Sequence, residues 1–268
     1  MRQSATDRRD NRQRPRPSVR MTHLSAMTMD SFHDHAPIEA AIFGMGGIGR
    51  AMATELAADP MISKVHGFSR SAHPVEGVET HAYDPQGSLP DQLKAVAFDN
   101  LRLCVVTVGV LHEGENGPEK ALKDIDDAWF LRVMRTNTLL PMLIGQAVAP
   151  LMPRHGRTLF GALSARVGSI SDNRLGGWYS YRISKAALNM GLRTMSIETQ
   201  RRNDEAVVVG LHPGTVDTEL SAPFQTRVPE KKLFSPRYSA AHLLEVLDGL
   251  RPDQSGQCYD YAGKLIDP

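Results

Sequence analysis

The stretch IEAAIFGMGGIGRAMATELAA, residues 38–58, decides the fold. Its first six residues, IEAAIF, are a short apolar run that ends at glycines, which predicts a β-strand over 38–43. Residues 48–58, IGRAMATELAA, predict a helix, and Asp59-Pro60 stops it. Between the two lies FGMGGIGRAM, 43–52. Glycines at such a junction permit a tight turn and let backbone N–H groups approach a pyrophosphate at the helix N-terminus. Gly44, Gly46 and Gly49 fit G-x-G-x-x-G, whereas Gly44, Gly47 and Gly49 fit G-x-x-G-x-G equally well. Ile48 lies within the same turn. The placement after a strand, before a helix and at the first crossover makes this a dinucleotide-binding candidate rather than a plain glycine-rich turn.

The chain beyond repeats the alternation. KVHGFSR (64–70) and THAYD (80–84) read as strands, and PDQLKAVAF (90–98) as a short helix. LRLCVVTVGV (101–110) is a continuous apolar strand of the kind buried on both faces. Residues 117–152 carry one or two helices, and GRTLFGALS (156–164) is the next strand. A helix follows from Trp178 to about Asn203, then a strand at 206–214, a helix near 237–250 and a last short strand, QCYDYAG (257–263). Strands alternating with helices imply an α/β fold: a single Rossmann-type, doubly wound parallel sheet with helices on both faces and right-handed crossovers. No internal repeat is visible, so residues 37–268 are expected to form one domain.

The chain has 268 residues, 41% hydrophobic and 23% charged, enough for a sizeable core. A formal net charge of +1 gives no general affinity for nucleic acid or membranes. Cys104 and Cys258 have no metal-site spacing and form no disulfide scaffold. No apolar run approaches the ~18 residues of a membrane span, and the expected location is cytoplasmic. Residues 1–36 differ from the rest: Arg2, Arg8, Arg9, Arg12, Arg14, Arg16 and Arg20 crowd their start and apolar residues are few. They read as a disordered tail, either a targeting leader or a start assigned too early, since Met21, Met27 and Met29 precede the first strand. His33, Asp34 and His35 read there as solvated residues, and no metal is expected.

Two further positions carry chemistry. The second strand ends at Gly67-Phe68-Ser69-Arg70-Ser71, with no acid to bind a ribose 2′-hydroxyl. Arg70 can hold a 2′-phosphate through charge-assisted hydrogen bonds, and Ser69 adds a donor, so NADP(H) is favoured over NAD(H). In GGWYSYRISKAALNM (176–190), Tyr181 and Lys185 are four apart and share a helix face. The residue four after Tyr179 is Ile183, which offers it nothing. A phenol beside an ammonium is a candidate acid–base pair, because the positive charge favours the phenolate. Moving a tyrosine from ~10 to ~7 takes roughly 4 kcal/mol, more than one lysine supplies, and a bound cationic cofactor could add to it.

The ordered set of glycine loop, serine-bearing strand end, Tyr-x-x-x-Lys and His-Pro-Gly-Thr-Val resembles the short-chain dehydrogenase/reductase family over about residues 38–266. Within it the sequence is most similar to the C-factor and sniffer-type carbonyl reductases, through GPEKALKDID, RTNTLLPML, SARVGSISDNRLGGWYSYRISKAALNM and HPGTVDTELSAPF. The resemblance implies that Tyr181 is the general acid or base. Lys185 would hold the nicotinamide ribose and lower the tyrosine pKa. Asn137 would position a water for proton relay, and Thr218 would lie near the nicotinamide carboxamide. Pro213, Gly214 and Val216 would line the cofactor, Asp84 would sit on its adenine side, and Gly109 would be the turn glycine after the fourth strand.

Three positions depart from the family pattern. The first glycine of G-x-x-x-G-x-G falls on Phe43, so use of Gly44 shortens the loop by one residue. Asn-Ala-Gly reads Thr107-Val108-Gly109. In the Ser-Ser-x-x-Gly segment Ala165 takes the place of the second serine, which leaves Ser164, one residue earlier, or Ser169 as the catalytic serine. Ser164 is the first choice, provided the backbone bends there, because adjacent strand residues face opposite sides.

The expected function is therefore an NADP(H)-dependent carbonyl reductase acting on a small carbonyl or alcohol, with neither nucleic acid nor membrane as a partner. The alternative is a cofactor-binding protein with a C-factor-like signalling role and little catalysis. Binding of nucleic acid through the arginine tail is a third class, and would be salt-dependent. Ser221 to Ser235 is expected to cover the active site as a lid, with Phe224 and Phe234 either meeting an apolar substrate or packing. Relatives are often homodimers or homotetramers, and some are monomers.

Overall fold

The computed structural model describes residues 28–268 apart from 228, 230 and 231. The elements along the chain are β1 (Ile38–Phe43), α1 (Gly47–Ala57), β2 (Ile62–Ser69), β3 (Glu79–Ala82), α2 (Leu89–Leu93), β4 (Leu101–Val106), α3 (Asp127–Met134), α4 (Leu140–Val148), β5 (Thr158–Leu163), α5 (Tyr179–Gln200), β6 (Ala206–His212), β7 (Thr215–Val216), β8 (Leu233–Phe234), α6 (Pro236–Gly249), β9 (Cys258–Asp260) and β10 (Leu265–Ile266). Eight strands form one sheet in the order β10-β9-β6-β5-β4-β1-β2-β3, and β7 pairs with β8 apart from it. All neighbours in the sheet are parallel except β9 and β10. This is the doubly wound architecture expected from the sequence. The strand order reverses between β1 and β4, the position at which doubly wound sheets take ligands beyond the carboxyl ends of their strands.

All six residues of β1 are buried, as a strand covered on both faces requires. Ala40 and Ile42 join Met52, Leu56, Leu243 and Leu247 in one core, against α1 and α6. Ala41 and Phe43 join Ile144, Leu188 and Leu192 in the other, against α4 and α5. Each fully buried leucine contributes about 2 kcal/mol. The two cores fix the carboxyl ends of the strands, and every candidate loop hangs from those ends.

Several expected boundaries move, each for a local reason. The strand expected over 101–110 stops at Val106. Thr107 N–H turns to the carbonyl of Phe43, and Val110 pairs through both its peptide groups with the Asn137 side chain instead of with a strand. The strand at 206–214 ends at His212, because Pro213 has no N–H to give. In the last expected strand the Asp260 carboxylate accepts from the N–H groups of Ala262 and Lys264, turning the chain back into β10.

The boundary of the expected tail also needs correction. Residues 30–35 form a 3₁₀ turn packed on the body. Met29 and Phe32 are fully buried in the α1/α6 core. Arg157 lies over the Phe32 ring at 5.8 Å and donates to Ser31 Oγ. Two apolar side chains and one arginine suffice to seat this segment, which its polar neighbours conceal in the sequence. His33 and Asp34 are exposed, while His35 Nε2 accepts from the Arg157 N–H. The tail arginines, Met21 and Met27 lie outside the described residues.

Candidate active site

The glycine loop is built for close approach. Gly44 adopts φ +102°, and a Cβ there would meet Thr107 Oγ1 at 2.8 Å. A Cβ on Gly47 would meet the Thr218 methyl at 2.8 Å, so the segment after β6 closes directly over the loop. Around Gly46 nothing lies within 4 Å. Gly46 caps α1 with no side-chain hydrogen bond, so the first N–H groups of the helix face that open space. A helix N-terminus that is bare and reached over a glycine fits a dinucleotide pyrophosphate. Both glycine spacings left open by the sequence describe parts of this one cradle. Thr107 donates to the Gly44 carbonyl at 2.5 Å, so the residue that replaces the family's asparagine ties β4 to the loop.

At the end of β2, a cavity of about 490 Å³ is lined by Arg70, Tyr83, Asp84, Gln86 and Gln92, with Ala82 and Pro85 between them. Arg70 is exposed there. The Ser69 hydroxyl is taken by the Ser71 carbonyl. Asp84 accepts from the Gln86 N–H, and its peptide is clasped by Gln92.

The Tyr–Lys pair stands at the start of α5. Gly176, Gly177 and Trp178 are all left-handed, at φ 64°, 62° and 55°. For a tryptophan this costs roughly 1–2 kcal/mol. Glu119 holds the turn in place. Its carbonyl accepts from Trp178 N–H at 2.5 Å, and its buried carboxylate takes both Ser180 N–H and the Ser180 hydroxyl. A carboxylate at a helix N-terminus is favourable. Glu119 was missed as a functional residue, and its lone signal was its place in the GPEKALKDID segment.

Lys185 is 3% exposed. Its Nζ donates to the Leu163 carbonyl at 2.8 Å and stands 5.7 Å from the centre of the Tyr181 ring. Gly168 permits this packing, since a Cβ there would stand 2.8 Å from Lys185 Cβ. Burial pushes Tyr181 up to about 12 and brings Lys185 down to about 8. The expected lowering of the tyrosine by its lysine is therefore not what this state shows. Desolvation of the buried phenol sets its direction in this state.

Asn137 sits in a π-helical turn, Arg135–Leu139, between α3 and α4. Its side chain accepts from Val110 N–H and donates to the Val110 carbonyl and Ser184 Oγ. Gly109 lies beside both Asn137 and Lys185, within 4 Å of each for an added Cβ. Thr218 packs on the glycine loop, Val216 is buried in β7, and the Pro213 carbonyl accepts from Ser239. Gly214, at φ +74°, leaves the room that Phe234 fills. Phe234 also packs against Tyr238 and Tyr261, so it supports the loop. Phe224 instead faces Trp178, at 5.3 Å between ring centres, and His112, at 5.8 Å. The Trp178 ring meets Tyr181 edge-on. Trp178 thus stands beside the Tyr181 ring, with Phe224 and His112 in series behind it.

Each candidate serine hydroxyl has a partner of its own. Ser164 Oγ donates to Asn189 Oδ1 at 2.6 Å, two helical turns from Tyr181. Ser169 Oγ accepts from Asp172 N–H and faces Ser171. Among the described residues no hydrogen bond joins either hydroxyl to Tyr181. Ser164 N–H still pairs with the Leu211 carbonyl, and its hydroxyl lies under α5 at Asn189, while Ala165 is buried beside it.

A model of the short chain dehydrogenase family matches residues 40–228. The chain belongs to the short-chain dehydrogenase family. This short-chain dehydrogenase is 38% identical over 166 residues to C-signal of Myxococcus xanthus, a match covering 61% of this chain and 95% of C-signal. It is 40% identical over 136 residues to 1-hydroxy-2-glutathionyl-2-methyl-3-butene dehydrogenase of Rhodococcus sp. (strain AD45), spanning 50% of this chain and 57% of that relative's length. Its backbone is similar to the carbonyl reductase Sniffer of D. melanogaster, with TM-score 0.73 and 20% identity over 87% of this chain and all of that one. A similar match, with TM-score 0.71 and 21% identity over 91% of this chain and all of that one, is the NADPH-bound carbonyl reductase from chicken fatty liver. At such identities the two structures establish the fold. Among the described residues, no helix is long and apolar enough to cross a membrane.

Proposed function

We propose that this chain is an NADP(H)-dependent oxidoreductase that moves hydride between a nicotinamide cofactor and a small carbonyl or alcohol substrate. The carrying observation is the position of Lys185 and Tyr181. A buried ammonium anchored on Leu163 lies beside a phenol, two strands from an open glycine cradle. When bound, the dinucleotide supplies or accepts the hydride. Gly44, Gly46, Gly47, Ile48 and Gly49 would hold its pyrophosphate. Arg70 would hold a 2′-phosphate, with Asp84 toward the adenine and Thr218, Pro213, Gly214 and Val216 along the opposite wall. The NADPH carried by the chicken fatty liver reductase supports the same choice of cofactor.

Tyr181 stays protonated at neutral pH when burial holds it near 12, so it is set to donate to a carbonyl oxygen. Lys185, near 8, can feed that proton back. The Asn137 side chain is committed to Val110, so its share of a relay would pass through its main-chain carbonyl in the π turn. The wall of Trp178, Phe224 and His112 favours an apolar carbonyl substrate. Ile183, Met190 and Ile197 are seven residues apart on α5 and exposed, which supports association with a second copy of the chain. Nothing in the site calls for nucleic acid or a membrane, and a cytoplasmic location fits that chemistry.

The test is NADPH oxidation over a panel of ketones and aldehydes, with NADH in parallel and Tyr181→Phe as the comparison. Turnover lost in the variant, with NADPH preferred, establishes the reading. Equal background in both proteins with NADPH still bound promotes a second one, a cofactor-dependent signalling protein. The likeness to C-signal and Ala165 at the serine position favour that second reading.

A further inference from the structure

At the free edge of the sheet, next to the cavity at Arg70, β2 and β3 bring together three metal-ligating side chains. The register places Glu79 opposite His66, and His81 opposite Phe68. His66 Nδ1 stands 3.1 Å from His81 Nε2, and Glu79 Oε1 stands 3.7 Å from the same His81 nitrogen. One ligand atom from each of the three lies within 4.8 Å of the others. Two nitrogens bound at ~2.0–2.1 Å to a tetrahedral zinc ion are separated by about 3.3–3.4 Å. The two imidazoles therefore already stand within a few tenths of an ångström of the spacing that a shared ion requires.

The second nitrogen of His66 points the same way. His66 is fully buried, and its Nε2 has no hydrogen-bond partner. That nitrogen lies 3.8 Å from Oε2 of Glu39, which is itself buried. A metal-bound imidazole typically gives its other N–H to a carboxylate, which fixes the tautomer. Glu39 is placed for that role and is held there by the Asp99 N–H. Lys64 now balances the two carboxylates, at 3.9 Å from Glu39 and 3.9 Å from Glu79. Its side chain is 39% exposed, so it can swing out when a cation enters.

We propose that His66, His81 and Glu79 form a binding site for a divalent transition metal of the zinc type. Glu39 orients His66 from behind, and the fourth coordination position is open to water. The bland use of the same geometry is a proton shared between the two imidazoles, and the ion replaces that proton. The site pins edge strand β3 to β2, just before the chain enters the cavity lined by Tyr83 and Asp84.

The test is titration of the chelator-stripped full chain with Zn²⁺ alone, read by calorimetry, and with Co²⁺, read by visible absorption. One ion binds saturably, and Co²⁺ gives the intense bands of a tetrahedral site. Glu79→Gln changes an exposed side chain, and it and His81→Ala each weaken binding by at least ~10-fold, as does Glu39→Gln behind His66. Lys64→Ala tightens binding, because it removes a competing charge. A His23→Ala, His33→Ala, His35→Ala chain, which lacks the N-terminal imidazoles, binds as the wild type does. Absence of saturable Zn²⁺ binding, or equal binding by the wild type and His81→Ala, overturns the proposal.

Discussion

A Cβ built on Gly49 would stand 1.9 Å from the carbonyl oxygen of Gly44. The two glycines therefore hold α1 against the end of β1, whereas Gly46, with nothing near it, holds only space. Gly49→Ala is expected to destabilise the fold by about 1–3 kcal/mol through overpacking. Gly46→Ala is expected to leave the thermal midpoint almost unchanged yet weaken dinucleotide binding. Thermal melts and cofactor titration on the two variants separate structure from ligand contact.

Tyr181→Phe is expected to lower turnover by roughly 10²–10⁴-fold with cofactor affinity retained, because it removes only the proton donor. Tyr179→Phe is expected to keep turnover, since four residues on from Tyr179 the chain has Ile183. Steady-state rates and NADPH binding, measured on both, decide which tyrosine works.

Arg70→Ala is expected to weaken NADPH at least ~10-fold relative to NADH, equivalent to ~1.4 kcal/mol. The guanidinium is exposed at the cavity and has no carboxylate partner among the described salt bridges, so it is available to a phosphate. The ratio of kcat/KM for the two cofactors is the measurement.

His212 links stability to acid. Burial lowers it to about 4, with Arg166 adding to the lowering, and its Nδ1 is sealed without a partner. An unfolded histidine takes up its proton near ~6.5. Between those values the unfolded chain binds more protons, so stability falls as pH drops through that window. The loss is at most roughly 3 kcal/mol at 1.36 per unit. Urea midpoints at pH 7 and pH 5 should differ less in His212→Asn than in the wild type.

Phe32→Ala is expected to cost about 3–5 kcal/mol, the range for a fully buried aromatic. Phe32 is 0% exposed although it precedes the first strand. Chemical denaturation measures the cost directly, and a loss under about 1 kcal/mol would place Phe32 outside the cooperative core.

What the sequence disclosed follows a physical divide. Strand β1, its glycine turn and α1 were legible because hydrophobic period and glycine chemistry act over a few residues. The pairing of Tyr181 with Lys185 was legible because a helix fixes which residues share a face. The partner of Ser164 was not, because spacing along the chain does not say which α5 side chain, here Asn189, its hydroxyl meets. Phe32 looked like tail, because the core that buries it includes Leu243 and Leu247, about two hundred residues away in the chain. Glu119 gave no pattern of its own, since the helix end it stabilises lies 61 positions downstream. The balance between burial and charge at Tyr181 could not be read from spacing, which gives proximity without solvent access.

The long reach of Glu119 limits how this protein can be recombined. The segment 111–121 looks like an exchangeable surface loop, a natural place to graft a relative's specificity. It also supplies the anchor for the left-handed turn that aims Tyr181. A chimera that replaces it without Glu119, or that imports α5 from a protein lacking Ser180, would inherit both halves intact and still misalign Tyr181. In this chain the loop and the helix form one unit of inheritance.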